Sequence, residues 1–386
     1  MRIAIVSLTY QGLSGGGRKY LQRIVPHLRA DPRTTSLELF VPPRLAGELE
    51  GLTPVPQAWP EMDPLLSRRW LKARLRRLAP EAVLITTARW LGCAPAATVV
   101  MVRNMEAMVA SFAGNPLCEK LRNAFLAWES RRACQRADRV IAVSHFVRDY
   151  LLNCWKLPAE KVEVVYHGGE SPSNGSLSKP PWALERLGDR PFVFAAGSVR
   201  PYRGYEDAIG ALAALPEQAG VKLVIAGKTT EGLRSYGRRL EQMAARLGVT
   251  GQVIWAGELG GKEMEWCFRH CGAFVMTSRV EACPNVVLEA MACGCRIVST
   301  ALPPMPELMG QAATYYRGGD PVDLANKLQG VLSGMEQPQA RRQLPLERAA
   351  AFRWSQTARQ TMDSLERAVA ARRKRCEACP DAGALE

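Results

Sequence analysis

GAFVMTSRVEACPNVVLEAMACGCRIVST, residues 272–300, carries two apolar β-type runs, AFVMTS (273–278) and CRIVST (295–300), joined through a turn and a short helical stretch. A strand, a turn, a helix and a second strand in so few residues imply two parallel strands linked by a crossover helix. The helix is expected to open at Asn285-Val-Val, just after Pro284. Its first N–H groups and the positive end of its dipole would favour a phosphate there. Two carboxylates bracket that start. Glu289 lies one helical turn beyond Asn285, and a carboxylate is a good acceptor for a vicinal diol such as a ribose. Glu281, in the preceding turn, is placed to accept from the hydroxyls of a sugar beside the phosphate.

Outward from this stretch the same alternation fills the chain. IAIVSL (3–8), LELFV (37–41), AVLIT (82–86), TVVMV (98–102), RVIAV (139–143) and VEVVY (162–166) read as strands, with helical patterns between them. The Ser-, Pro-, Gly- and Asn-rich stretch ESPSNGSLSKPPW (170–182) breaks every periodicity, as a linker does. The alternation then restarts with PFVFAAG (191–197), KLVIAG (222–227), QVIWAG (252–257) and the two strands of the opening stretch. Two doubly wound α/β domains in tandem follow, with ligand sites at strand C-termini facing a shared cleft. The expected boundaries are 1–170 and 171–350, a closing helix over 351–375 that packs back toward the N-terminal domain, and a flexible tail at 376–386.

At 386 residues and 47% hydrophobic content, the chain can build two cores. No run of about 18 uncharged apolar residues reads as a membrane span, and the N-terminus reads as a strand rather than a signal peptide. Eleven cysteines without a secretion signal point to reduced thiols in a cytosol. Cys376/Cys379 and Cys293/Cys295 lack a second pair at finger-like spacing, so no zinc site is expected. Much of the N-terminal part of the +14 net charge sits in LLSRRWLKARLRRLAP (65–80), where Leu and Trp recur at helical spacing among six cations. A basic amphipathic helix of this kind is a candidate for an anionic membrane surface; a solvated face over an ordinary core stripe is the other reading.

Two more turns follow strands. Gly12-Leu-Ser-Gly15-Gly16-Gly17 precedes a helix expected from Arg18, and lets a ligand approach the backbone. It is not G-x-G-x-x-G, and no acidic residue ends LELFV, so a nicotinamide cofactor is not expected. In GSVRPYRG (197–204), Arg200 and Arg203 offer permanently charged forks suited to a diphosphate.

Taken in order, these stretches resemble the GT-B glycosyltransferases of retaining family 4, from Met1 to about Ala370. The resemblance runs through Gly15-Gly16, ADRVIAVSHFVRDYLL (137–152), GSVRPYRG, LVIAGK (223–228), VIWAGEL (253–259), EACPNVVLEAMACGCRIVST and FRW (352–354). It implies an α/β, GT-B fold: two Rossmann-like doubly wound domains facing a central cleft that holds a nucleotide-diphosphate sugar. It also implies that Glu281 touches donor-sugar hydroxyls and Glu289 the ribose. Arg203 would hold the diphosphate, with Gly15 and Gly16 closing over it. The backbone at Pro284–Val286 would approach sugar and phosphate, with Asn285 and Val286 donating because Pro284 has no N–H; Glu258 and Leu259 would lie near the base. The sequence departs from the family's pattern in places. Ser198 stands where the family has an Arg, with Arg200 the candidate replacement; Ala282-Cys283 replaces Gly-Phe; Arg103-Asn104 stands on the acceptor side where a His is common.

The implied reaction moves a hexose-type sugar, with retention, from a UDP- or GDP-sugar to a hydroxyl of a glycan or lipid-linked acceptor in bacterial envelope polysaccharide synthesis. Cytoplasmic residence, on the inner face of the membrane, goes with it. No Asp-x-Asp motif is present to hold a metal, so cations and helix N-termini must neutralise the leaving diphosphate. A sugar-nucleotide epimerase of similar architecture and a non-catalytic nucleotide-sugar-binding partner are the alternatives. No aromatic–basic motif supports a nucleic-acid partner.

Overall fold

The structure is a computed structural model, and it describes residues 1–8, 15–42, 47, 49, 51–52, 64–92, 96–109, 117–170, 180–187, 190–216, 220–229, 231–334 and 338–378. Gly12-Leu-Ser14, the linker over 171–179 and Cys379 lie outside the described residues. The chain divides into two compact units. One comprises Met1–Met108, Cys118–Gly168 and Trp354–Glu386; the other comprises Val109–Leu117 and Gly169–Arg353.

The first unit begins β1 (Arg2–Val6), α1 (Gly15–Ala30), β2 (Ser36–Phe40), α2 (Pro64–Leu78), β3 (Ala82–Ile85) and β4 (Ala97–Val102). It continues through α3 (Glu106–Val109), α4 (Leu117–Arg136), β5 (Arg139–Ala142), α5 (His145–Asn153) and β6 (Val162–Val164). The six strands form one parallel sheet in the order β2-β1-β3-β4-β5-β6. β3 and β4 are buried along their whole length, which is why they read as uninterrupted apolar runs.

The second unit starts with β7 (Phe192–Ala196), α6 (Tyr205–Ala214), β8 (Lys222–Ala226), α7 (Arg234–Arg246), β9 (Val253–Gly257) and α8 (Gly261–His270). Next come β10 (Ala273–Met276), α9 (Asn285–Ala292), β11 (Ile297–Thr300) and α10 (Met305–Met309). β12 (Ala313–Tyr316), α11 (Pro321–Ser333) and α12 (Pro338–Ala349) complete it. Its parallel sheet runs β12-β11-β10-β7-β8-β9, so β7 lies between β8 and β10 and chain order reverses beside it. Ligands of open α/β sheets bind at the carboxyl ends of strands flanking such a reversal. In the first unit the corresponding point lies between β1 and β3.

Each strand read from the sequence is present within two residues of its expected bounds, and one strand was not foreseen. β12 is a half-buried edge strand of four residues, too short and too little apolar to stand out from the sequence around it. The last helix, α13 (Trp354–Ala378), packs against α1 and against β3, β4 and β5 of the first unit. Ala358, Met362, Leu365 and Ala368 are its buried stripe, and Arg33 pairs with Asp363 at 2.7 Å and Glu366 at 3.0 Å across from it. Cys376–Ala378 belong to this helix, not to a flexible tail, because the helical pattern of ARRKRCEA continues without a breaker. No helix among the described residues is long and apolar enough to cross a membrane.

Candidate functional site

β7 ends at Ala196, and the chain leaves the sheet through the turn that holds Ser198, Arg200 and Arg203. Pro201–Arg203 form a single 3-10 turn closed by Gly204, whose φ of 63° lies in the left-handed region. A side chain there would be strained, and its Cβ would sit 2.5 Å from the Thr277 carbonyl oxygen. The turn is tied down at several points. Tyr205 donates its hydroxyl to the Gly197 carbonyl at 2.7 Å, Thr277 Oγ1 donates to the Arg203 carbonyl at 2.6 Å, and the Arg279 N–H donates to the Tyr202 carbonyl at 2.7 Å. The last two bonds clamp the end of β7 to the end of β10, its neighbour in the sheet.

This clamp brings Arg203 to Glu281. The Nη1 group of Arg203 donates to Glu281 Oε1, and the Ser278 hydroxyl lies 3.3 Å from the same nitrogen. Both side chains are largely buried, with 15% and 11% of their surface exposed. Burial alone would lower the pKa of the Arg203 guanidinium, but the Glu281 carboxylate, with Tyr202 and Tyr205 beside it, raises it on balance. The cation is therefore permanent. Nε of Arg203 is buried over Gly197 without a hydrogen-bond partner among the described residues. The sequence reading placed Arg203 on a diphosphate and Glu281 on a sugar separately; the structure joins them as one ion pair.

α9 opens at Asn285 behind Pro284, which as the N-cap residue makes no side-chain capping bond. Val287 N–H donates to the Pro284 carbonyl at 3.1 Å, so Asn285 and Val286 hold the first N–H groups at the helix start. Glu289, half-buried, lies one turn on. Ser198 and Arg200 are half-buried after β7; after β9, Glu258 is exposed and Leu259 half-buried. Residues following three strands, β7, β9 and β10, thus supply the candidate donor set of this unit.

In the first unit, Gly15 and Gly16 are exposed and belong to the first turn of α1, three residues before the expected start at Arg18. The Gly-rich stretch thus opens the helix instead of preceding it. Arg103, just past β4, lies over Gly17, where a Cβ would come within 2.5 Å of Nη2, and 6.0 Å from the Tyr20 ring. Burial depresses its pKa, and Tyr20 opposes that only in part. Asn104 is exposed and accepts from the Glu106 N–H at 2.9 Å.

Sequence reasoning missed Asp207. Buried on α6, it accepts from Arg279 at 2.9 Å, from the Tyr316 hydroxyl at 2.9 Å and from the Gly319 N–H at 2.7 Å, and so braces the segment between β10 and Glu281. Asp at the third position of an apolar helix was the available signal. The nine described cysteines are free, and burial pushes the Cys267 and Cys293 thiols up to about 12, holding them as neutral thiols. Among the described residues no group of three His, Cys, Asp or Glu side chains is placed to hold a metal ion.

Comparison with known proteins bears on this geometry. Residues 14–169 match the family described as Glycosyltransferase Family 4, and residues 180–344 match Glycosyl transferases group 1. The chain is similar to D-inositol 3-phosphate glycosyltransferases of Stackebrandtia nassauensis, at 27% identity over 58% of this chain and 52% of that one, and of Streptomyces scabiei, at 25% over 88% and 76%. The match thus spans only about half the length of the first of these relatives. Among solved structures, Anabaena HepE in complex with UDP-glucose is similar at 20% identity and a TM-score of 0.76, over 95% of this chain and 100% of that one. WaaG, a glycosyltransferase involved in lipopolysaccharide biosynthesis, is similar at 16% identity and a TM-score of 0.68, over 94% and 99%. The fold is that of the GT-B glycosyltransferases. With consecutive matches across both halves of the chain, the protein belongs to the group 1, family 4 glycosyltransferases.

Proposed function

We propose that the protein moves a hexose-type sugar from a UDP- or GDP-sugar to a hydroxyl of a glycan or lipid-linked acceptor, with retention of configuration and without a metal ion. The observation that carries this reading is the buried Arg203–Glu281 pair beside the start of α9, at the point where strand order reverses. HepE, similar in fold, was solved with UDP-glucose, which favours a uridine nucleotide. WaaG acts in lipopolysaccharide synthesis, which favours an envelope glycan as product and the cytoplasm as the place of work.

In this reading the bond between the anomeric carbon and the diphosphate oxygen breaks as the bond to the acceptor oxygen forms on the same face. The bonding pair leaves with the diphosphate, and a departing phosphate oxygen takes the acceptor's proton. Negative charge grows on the diphosphate, where Arg203 and the N–H groups of Asn285 and Val286 stabilise it; Arg200 and Ser198 are the further polar groups of the turn. Glu281 holds the Arg203 guanidinium in place with one oxygen and offers acceptor capacity to the sugar hydroxyls. Glu289 receives the ribose diol, Glu258 and Leu259 border the base, and Gly15 and Gly16 approach the diphosphate. Arg103 and Asn104 serve the acceptor. Incubation with UDP-, GDP- and ADP-sugars, with release of nucleotide diphosphate as readout, tests the reading; no release in the presence of acceptor glycans refutes it.

Two expected outcomes follow. Glu289→Ala weakens nucleotide binding by about 10- to 100-fold, because hydrogen bonds to a charged group are worth about 1.5–3 kcal/mol. Calorimetric titration of UDP and GDP measures this, and wild-type affinity would remove the ribose assignment. Activity survives EDTA, since no Asp-x-Asp motif occurs and permanent cations occupy the diphosphate turn. Loss on chelation, restored by Mg²⁺ or Mn²⁺, would contradict the metal-free mechanism.

A further inference from the structure

Arg103 stands at the carboxyl end of β4 without a counter-charge. Among the described residues no carboxylate pairs with it, and the nearest acid along the chain, Glu106, leaves it alone. The chain satisfies its other half-buried arginines of this kind: Glu129 takes Arg68 and Arg89, Glu163 takes Arg139, and Glu281 takes Arg203. A guanidinium withdrawn from water loses solvation that an anion has to restore. Its position makes the deficit larger. Nη2 lies against Gly17 in the first turn of α1, a turn that holds no acid. A helix N-terminus carries about half a positive charge of its own, so two positive ends meet there.

The neighbouring strand ends hold unspent hydroxyls. The Thr86 N–H donates to the Val6 carbonyl at 3.0 Å, which sets Ser7 and Thr86, the residues following β1 and β3, side by side. Continuing the register of β3 on β4 places Thr87 beside Val102, next to Arg103. The hydroxyls of Ser7, Thr86 and Thr87 are buried and have no hydrogen-bond partner among the described residues. Buried polar groups in a packed core are nearly always satisfied. One cation and three hydroxyls left open at the end of a sheet, where strand order reverses, mark a place for a polar, anionic ligand.

We propose that Arg103 binds a carboxylate of the acceptor, so that the glycan receiving the sugar carries a uronate. This rests on the reading above that Arg103 serves the acceptor, and it adds the acceptor's chemical class. A single guanidinium matches a planar monoanion through two parallel N–H···O bonds. A phosphate dianion calls for a second cation. The other arginine that follows these strands, Arg89 after β3, is held by Glu129 at 3.5 Å. A neutral acceptor would leave Arg103 uncompensated in the complex as it is in the free protein.

The test measures binding apart from transfer. The full chain is titrated, with ligand-observed NMR as readout, with methyl glucuronide, with its uncharged amide and with inorganic phosphate, for wild type, Arg103→Lys and Arg103→Gln. Wild type is expected to prefer the glucuronide to the amide by about 10- to 100-fold, the worth of charge-assisted hydrogen bonds. Arg103→Lys keeps part of that preference, having the charge without the fork, and Arg103→Gln binds the two alike. Without ligand, Arg103→Gln is expected to melt at or above wild type, since it removes an uncompensated cation, whereas an arginine kept for packing would leave a less stable protein. Equal affinity of the wild type for glucuronide and amide overturns the proposal, as does an undiminished preference in Arg103→Gln. Phosphate bound more tightly than glucuronide overturns it in favour of a phosphorylated acceptor. A loss of UDP affinity in Arg103→Gln, with no change in its preference for glucuronide, overturns it and gives the cation to the donor diphosphate. Glucuronide binding needs no donor, so it survives a failure to release nucleotide from any nucleotide sugar. Transfer to neutral glycans alone leaves the transferase reading intact and removes this one.

Discussion

Alanine at Arg203 is expected to lower the rate of sugar transfer by about 100- to 1,000-fold, the usual loss when one preorganised charge-stabilising donor is removed. Arg203 is held by Glu281, by the Ser278 hydroxyl and by the bonds that clamp its turn to the end of β10, so it is in place before any ligand arrives. No reorganisation is then needed as charge develops on the leaving group. Truncation also removes the guanidinium from beside the largely buried Glu281 carboxylate, and breaking a buried ion pair typically costs about 3–5 kcal/mol of stability. Two further variants separate the effects. Arg203→Lys keeps a cation beside Glu281 but loses the fork, and is expected to melt near wild type while turning over well below it. Glu281→Gln keeps a hydrogen-bond acceptor for the guanidinium and removes the charge. Steady-state rates with the preferred nucleotide sugar, alongside thermal melts, read out all three. Wild-type turnover by a folded Arg203→Ala protein would take this residue out of the chemistry.

The second large effect is expected at a residue that touches no ligand in the proposed reaction. Gly227 follows β8 with φ at 155°, and a Cβ there would lie 1.8 Å from the Gly197 carbonyl oxygen and 2.6 Å from its carbonyl carbon. The obstacle is backbone, which cannot rotate aside, and it is the backbone from which the Arg203 turn begins. Gly227→Ala therefore forces either β8 or the β7 turn to move. Strain at a sparsely populated φ costs about 1–3 kcal/mol, and overpacking costs a similar amount, so a loss of about 3–5 kcal/mol is expected. For a unit of this size that corresponds to roughly 10 °C in melting temperature. Transfer should fall with it, even below the melting transition, because Gly197 accepts from Tyr205 and packs under the Arg203 guanidinium. Gly232→Ala, at an exposed position with nothing within 4 Å, serves as the control and should stay within about 0.5 kcal/mol of wild type. Equal melting of the two variants would show that the close approach of the two strand ends is not tight.

Local chemistry made much of this protein legible in its sequence. Parallel strands buried on both faces must be apolar along their whole length, so AVLI, TVVMV and FVFAA announce themselves without tertiary information. Pro284 before Asn285 marks a helix start for an equally local reason, since a residue without an N–H is tolerated where the helix has no use for one. The edge strand Ala313–Tyr316 escaped because one side of it needs no apolar cover. Pairings between distant residues were a different matter. Arg203 and Glu281 are 78 positions apart, Asp207 and Tyr316 are 109, and Arg68 and Glu129 are 61. A sequence shows each as a charged or polar side chain with many conceivable partners, and only the packing of strand ends and helices selects one. The same holds for α4. Leu121, Phe125 and Trp128 have the spacing of a core stripe, and they face outward because burying Glu129 against Arg68 and Arg89 settles which side of the helix turns in. Periodicity shows that a helix has two faces, but the cost of stranding a buried charge decides which of them meets the solvent.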